Sequence, residues 1–184
     1  MPPKTDLRRL AQHNGAVVGV IPVNRMTRLI QDLPGQPHIR ELADIGADGR
    51  GAVWYEFRGS SQQGRRPRVW LKVQALLTLT CQRCLSDMLF LVNETVQFEL
   101  FADENTANAV EAVDEGDPDA PEPLVADGPV DLVQMVEDQL ILAVPYVPKH
   151  HACEPAKTSA GEPVEEVKRE SPFKVLEGLK RGSK

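Results

Sequence analysis

The residue types in this 184-residue chain that could do chemistry by their spacing are its three cysteines and a pair of adjacent histidines. Cys81-Gln82-Arg83-Cys84 is a CxxC, and Cys153 follows His150-His151-Ala152. Two thiolates three positions apart can grip one soft metal ion, and a second pair brought in from elsewhere completes a tetrahedron. Cys81, Cys84, Cys153 and one of His150 or His151 would form a Cys3His set for a single structural zinc. The CxxC could instead be a redox couple, but that chemistry needs its first cysteine at a helix N-terminus, where the dipole lowers the thiol pKa. Here a strand pattern precedes the pair and another follows it, which speaks against redox work. A third reading makes the cysteines small packed residues.

No other constellation points to catalysis. The chain has neither a glycine-rich phosphate loop nor a nucleophile elbow. His13 and His38 stand apart from any cysteine or carboxylate spacing that would make a site. Glu137 and Asp138 fall on the polar side of a predicted helix and read as solvated. No catalytic residue is expected, and the chain is not read as an enzyme.

The formal charge of -6 conceals an asymmetry. Residues 1–72 carry 12 Lys/Arg against 6 Asp/Glu, whereas residues 73–148 carry only Arg83 against 15 acids. A basic end can approach a phosphate backbone while an acidic middle repels non-specific contact, although both are also ordinary solvated surface. The strongest basic element is Arg58 to Arg68, polar and glycine-bearing, which reads as an exposed loop between strands. Arg65, Arg66 and Arg68 are its candidate phosphate contacts, joined by Arg83 at the cysteine tip and by Arg8 and Arg9 near the N-terminus. No aromatic lies inside the loop to stack on a base, so a plain solubilising loop is the competing reading.

These residues need elements to hold them. Val69, Leu71, Val73, Ala75, Leu77 and Leu79 alternate with mostly polar partners and predict a strand running straight into Cys81. Phe90, Val92, Val96, Phe98 and Leu100 alternate in the same way, making a hairpin whose tip holds Cys81 and Cys84. Asp6–Gln12 predicts a short helical turn and Ala16–Ile21 a strand. Asn24 is the expected N-cap of a helix over Arg25–Leu33. Ile39–Ile45 and Ala52–Phe57 flank Asp48-Gly49 and predict a hairpin, with Glu41-Leu42-Ala43 also suited to helix. Asp131 and Gln134 form a capping box, with Val130 stapled to Met135, for a helix that Pro145 ends. Residues 102–130 are rich in acids, Ala, Pro and Gly and predict a mobile loop. Ser171-Pro172 predicts a short C-terminal helix.

The fold expected is therefore α+β: an antiparallel β-meander with a packed amphipathic helix, short N- and C-terminal helices and a long acidic flexible loop. One domain should cover 1–153, followed by a polar linker and the C-terminal helix in 154–184. No apolar run approaches the ~20 residues that span a bilayer, and no secretory signal opens the chain, so a cytoplasmic protein without membrane contact is expected.

Four segments occur in the order of a known family: Arg25-Met26-Thr27-Arg28-Leu29, Leu79-Thr80-Cys81-Gln82-Arg83-Cys84-Leu85, Val136-Glu137-Asp138-Gln139-Leu140-Ile141-Leu142-Ala143-Val144-Pro145 and Ser171-Pro172-Phe173-Lys174-Val175-Leu176. Over nearly its whole length the chain resembles the bacterial large ribosomal RNA subunit accumulation proteins, the YceD family. Gln139 departs from the acid usual in that family, so an unbroken acidic triplet is not read as a docking site. The resemblance implies a non-enzymatic factor that promotes accumulation of 23S ribosomal RNA, in rRNA processing or large-subunit assembly. Its partners would be precursor or mature 23S rRNA or assembly particles, with ribosomal proteins or a processing nuclease also in reach. The alternative is a protein adaptor that presents an acidic loop or helix to such a protein without touching RNA.

Overall fold

In the computed structural model, residues 4–40, 44–45, 47–114 and 120–156 are described. The expected C-terminal helix and most of the 154–184 linker lie outside them, as does the Glu41-Leu42-Ala43 segment. Their chain order is β1 (Lys4–Thr5), α1 (Leu7–Gln12), β2 (Ala16–Pro22), a 3₁₀ turn (Val23–Arg25), α2 (Thr27–Gln31), β3 (Ala52–Ser60), β4 (Arg68–Thr80), β5 (Asp87–Phe101), α3 (Glu104–Asp114), β6 (Glu122–Val125), β7 (Val130–Asp131) and α4 (Leu132–Ala143). No described helix is long and apolar enough to cross a membrane.

One five-stranded sheet, ordered β2-β3-β4-β5-β6, carries the molecule, and its first four strands form the antiparallel meander. β4 and β5 pair without interruption from Arg68↔Glu99 to Thr80↔Asp87. Strand geometry sends odd and even residues to opposite faces. Val69, Leu71, Val73, Ala75, Leu77 and Leu79 are accordingly buried, and their even-numbered neighbours lie on the other face. The buried face joins Val53, Phe57 and Val92 to Leu7 and Ala11 of α1, Met26, Leu29 of α2, and Leu132, Val136 and Leu140 of α4. At Gly59 the backbone of α1 comes so close that an added Cβ would sit 2.5 Å from the Leu10 carbonyl oxygen and 2.6 Å from Ala11 Cα. Only glycine admits that approach.

α1 and α4 begin as their caps dictate: Asp6 accepts from Arg9 N–H, and Asp131 Oδ1 from Val133 and Gln134 N–H. α2 differs from expectation. Asn24 falls in the 3₁₀ turn and caps nothing, and the helix runs only over Thr27–Gln31. Its free N–H groups are taken by a residue 109 positions away. Glu137 Oε1 accepts from Arg28 N–H at 2.7 Å and from Leu29 N–H at 3.2 Å, while Oε2 lies 3.0 Å from the Arg28 guanidinium. Glu137 is buried, not solvated as its helix position had implied, because α2 packs over that face of α4. Asp138 stays half exposed and also pairs with Arg28 at 2.7 Å.

Two further expectations are corrected. Among the described residues of 39–45 there is no strand; Asp48-Gly49 is a turn, with Gly49 at φ +71°, but β3 pairs instead with β2 and β4. The acidic stretch, expected to be loop throughout, contains α3 and β6. Asp103 accepts from the Thr106 N–H and hydroxyl at the start of α3, and β6 then runs parallel to β5 along an open edge. A local cap and an available sheet edge outweighed the acidic composition.

Two stability predictions follow from these contacts. Glu137→Ala, which orphans two N–H groups and Arg28, should lower stability by ~2 kcal/mol, while Glu137→Gln, which keeps an acceptor, should cost about half that and Asp138→Asn almost nothing. Urea midpoints on the three variants read the order directly. Gly59→Ala should cost ~1–3 kcal/mol by pushing α1 off β3, seen as a lower melting temperature.

Candidate metal centre

The inward parity of β4 does not stop at Leu79: Cys81, the next odd residue, is also fully buried. Beyond it the hairpin turns tightly. Cys81 N–H donates to the Ser86 carbonyl and Leu85 N–H to the Cys81 carbonyl, both at 2.9 Å, with Leu85 in the left-handed region at φ +61°. This turn presents Cys81 and Cys84 side by side, as a zinc knuckle requires.

The second half arrives as a strap from the end of α4. Pro145 stops the helix, and the chain then runs to the tip, where the Pro148 carbonyl accepts from Gln82 N–H at 2.8 Å and Ala156 N–H donates to the Arg83 carbonyl at 3.0 Å. The Arg83 side chain adds a bond from Nη1 to the Cys153 carbonyl at 3.2 Å. Held this way, the strap delivers His150 and Cys153, which have the same three-residue spacing as the cysteine pair.

Sγ of Cys81, Cys84 and Cys153 and a ring nitrogen of His150 all lie within 4.8 Å of one another. Two sulfurs bound to one zinc ion are about 3.7 Å apart, and a sulfur and an imidazole nitrogen about 3.5 Å. Cys81 and Cys153 stand at 3.7 Å, and Cys84 Sγ and His150 Nδ1 at 3.3 Å. The donor set therefore fits a tetrahedral Cys3His zinc site. It is His150 that belongs; His151 is exposed and outside the cluster.

Thiolates are the ligand form, and the surroundings favour them at both sulfurs of the tip. Burial opposes ionisation of Cys81, yet the N–H groups of Cys84, His150 and Arg83 point at its sulfur and win, bringing its pKa down to about 5. The Ser86 hydroxyl, 3.0 Å from Cys84 Sγ, pulls that thiol down too. Cys153 goes the other way: burial, then its contact with Cys81, raises it to about 11. Interaction with Cys81 and Cys84 raises His150. Four protein ligands leave no open position, which is the pattern of a structural rather than a catalytic zinc site. Such an ion, when bound, supplies a cross-link between hairpin tip and strap.

Ser86, Pro148 and Ala156 were not legible as parts of this centre, because each acts through backbone or turn geometry that only the docked strap creates.

The arginines expected to meet phosphate are not gathered in one place. Arg83 sits at the cysteine tip, whereas Arg68 lies at the far end of the hairpin, twelve residues or roughly 40 Å along the strand. Arg8 is engaged by the Ala126 carbonyl at 2.7 Å, and Arg9 is exposed on α1. Arg66 and Arg68 share Glu99 at 3.4 and 3.2 Å, and Arg66 lies 4.7 Å from the Phe101 ring centre. Arg65 is exposed and has no carboxylate partner among the described residues.

The family model for "Large ribosomal RNA subunit accumulation protein YceD" matches residues 69–180, a stretch that runs from β4 to the strap and contains Cys81, Cys84, His150 and Cys153. A protein of Haemophilus influenzae with that same name is 38% identical over 120 residues, covering 60% of this chain and 63% of the relative, so the match spans less than two thirds of that relative's length. No solved structure matches the chain.

With zinc as the ligand, protein purified without chelator should hold close to one equivalent, and Cys81→Ser should lose it. Free zinc at 1,000 times its Kd should stabilise the fold by about 4 kcal/mol, or roughly 10 °C in melting temperature. Because Cys153 holds its proton near neutral pH, binding should release at least that proton and weaken as pH falls. Calorimetry in buffers of different ionisation enthalpy measures the release, and elemental analysis showing negligible metal would remove the site.

Proposed function

Since the chain belongs to the YceD family of large ribosomal RNA subunit accumulation proteins, we propose that it promotes accumulation of 23S ribosomal RNA in the cytoplasm, by acting in rRNA processing or large-subunit assembly. It does so by binding, without catalysing a reaction. The observation that carries this reading is the family match over β4, β5, α4 and the strap. The geometry of the cysteine centre supports it, since a site with four protein ligands and no open position is built to hold a fold together. One zinc ion there would pin the strap to the hairpin and leave chemistry to other proteins.

Contact with precursor or mature 23S rRNA runs, in this reading, through the loop between β3 and β4. Glu99 orients Arg66 and Arg68 side by side and does not reach Arg65, so the loop keeps excess positive charge at a fixed edge of the sheet. Phosphate contacts position an RNA without reading its sequence. Arg83 has a clamping role at the other end, and Arg8 and Arg9 ride on α1, which covers the opposite face of the sheet.

The test pairs folding with function. Replacing Arg65, Arg66 and Arg68 together by Gln should leave circular dichroism unchanged and reduce the slope of log K against log salt by about 2 for a single-stranded 23S segment. In a deletion strain the ratio of 23S to 16S RNA should fall; the native gene should restore it and the triple variant should not. A folded triple variant that restores the ratio would take the loop out of the mechanism and favour a protein adaptor. A deletion strain with a normal ratio and normal 23S ends would overturn the function itself.

A further inference from the structure

The sheet has a second face, turned away from the core residues of α1, α2 and α4; at its β5–β6 end, beside α3, Phe101 is buried. Its residues follow from the register: on β4 they are Arg68, Trp70, Lys72, Gln74 and Leu76, flanked by Arg58 and Trp54 on β3. The chain contains two tryptophans, and both lie on this open face, outside the apolar core. Both rings are only partly buried, and the same face exposes Val18 and Val20 of β2 and Leu89 and Leu91 of β5, an apolar and aromatic surface of the kind that marks a binding site.

Trp70 stands where two clefts meet. One, of about 130 Å³, is lined by Arg65, Arg66 and Arg68; the other, of about 670 Å³, by Asn14 and Arg58. One row further along the face comes Lys72, whose Nζ is 5.7 Å from the Trp54 ring centre, and then Trp54 itself. Among the described residues, the cations Arg58, Arg65, Arg66, Arg68 and Lys72 outnumber the carboxylates Glu56 and Glu99, and Asp48, which lines a cleft beside Trp54, is already paired with Arg50. The loop alone lacked a ring to stack on a base, and the fold places one beside it.

From this juxtaposition we propose that the open face between Arg68 and Trp54 is a stacking platform for single-stranded RNA, with unpaired bases on Trp70 and Trp54 and phosphates on Arg58, Arg65 and Lys72. The proposal rests on the RNA-binding reading above and names the form of RNA it takes. Ring faces on an open sheet can stack only with bases that are free of their own stack, whereas a duplex offers phosphates and a groove. The positive charge excludes an acidic segment's opposite, a basic peptide, and complements a polyanion. Stacking is tolerant of base identity, so the face should select strandedness rather than sequence.

The two tryptophans report directly. Titrating the full-length protein with a twelve-residue oligouridylate should quench its intrinsic fluorescence saturably, and an RNA duplex of equal length should quench it little. With a fluorescein-labelled oligouridylate read by anisotropy, Trp70→Ala and Trp54→Ala should each raise Kd about tenfold, while Trp70→Phe, which keeps a ring, should bind nearly as the native protein does. Equal binding by native, Trp70→Ala and Trp54→Ala proteins, all folded by circular dichroism, would overturn the platform. So would folded alanine variants that bind RNA normally yet fail to restore the 23S to 16S ratio, an outcome that assigns the face to a protein partner. If the variants lose RNA binding while the deletion strain keeps a normal ratio, the platform stands and the cellular function proposed above falls.

Discussion

The register of β4 against β5 is the constraint on which everything else hangs. A one-residue slip would exchange the two faces of β4, sending Leu71 and Leu77 to solvent and Trp70 and Lys72 into the core. The cost of that exchange locks the pairing from Arg68 to Thr80. The same parity has consequences at both ends. At the tip it aims Cys81 into dry surroundings, where three N–H groups can gather on its sulfur. At the other end it puts Arg68 and Trp70 outside, next to Arg58 on β3. One hairpin therefore carries the cysteine cluster at its tip and the proposed RNA-binding face toward its other end, with nothing shared but register.

α4 is the second organising element, because it makes contacts along its whole length. Its cap, Asp131, belongs to β7, which pairs with β1 at the start of the chain. At mid-length Glu137 closes the N-terminus of α2, and at its end Pro145 turns the chain toward the cysteine tip. A buried carboxylate is tolerable here only because N–H donors and a guanidinium meet it from every side. The Arg28 link to Glu137 and Asp138 thus joins two sequence segments that lie far apart.

The cysteine centre shows how an adaptable segment is made definite. The strap from Tyr146 to Ala156 has no regular secondary structure and keeps few apolar groups; Tyr146 is wholly exposed. What holds it are two backbone bonds to the tip, the Arg83 clamp and the sulfur and imidazole contacts. A metal ion suits such a place, since a cross-link there replaces the apolar burial the strap cannot provide.

Periodicity by itself determined the long hairpin, the buried face of β4, and α1 and α4 with their aspartate caps, because those patterns depend on contacts within a few residues or on a period of two. It also marked Cys81, Cys84 and Cys153 as a possible set, but not the choice of His150 over His151. Nor did it show that Glu137 is buried, that Asn24 caps nothing, that the acidic stretch supplies an edge strand, or that both tryptophans lie with the arginine loop on the face opposite the core. Each of those depends on a partner tens of residues away. Local pattern reports what a segment can do alone; the docking of α2 on α4, of β6 on β5 and of the strap on the hairpin tip decided which possibilities were realised, because only packing supplies the missing donors, edges and ligands.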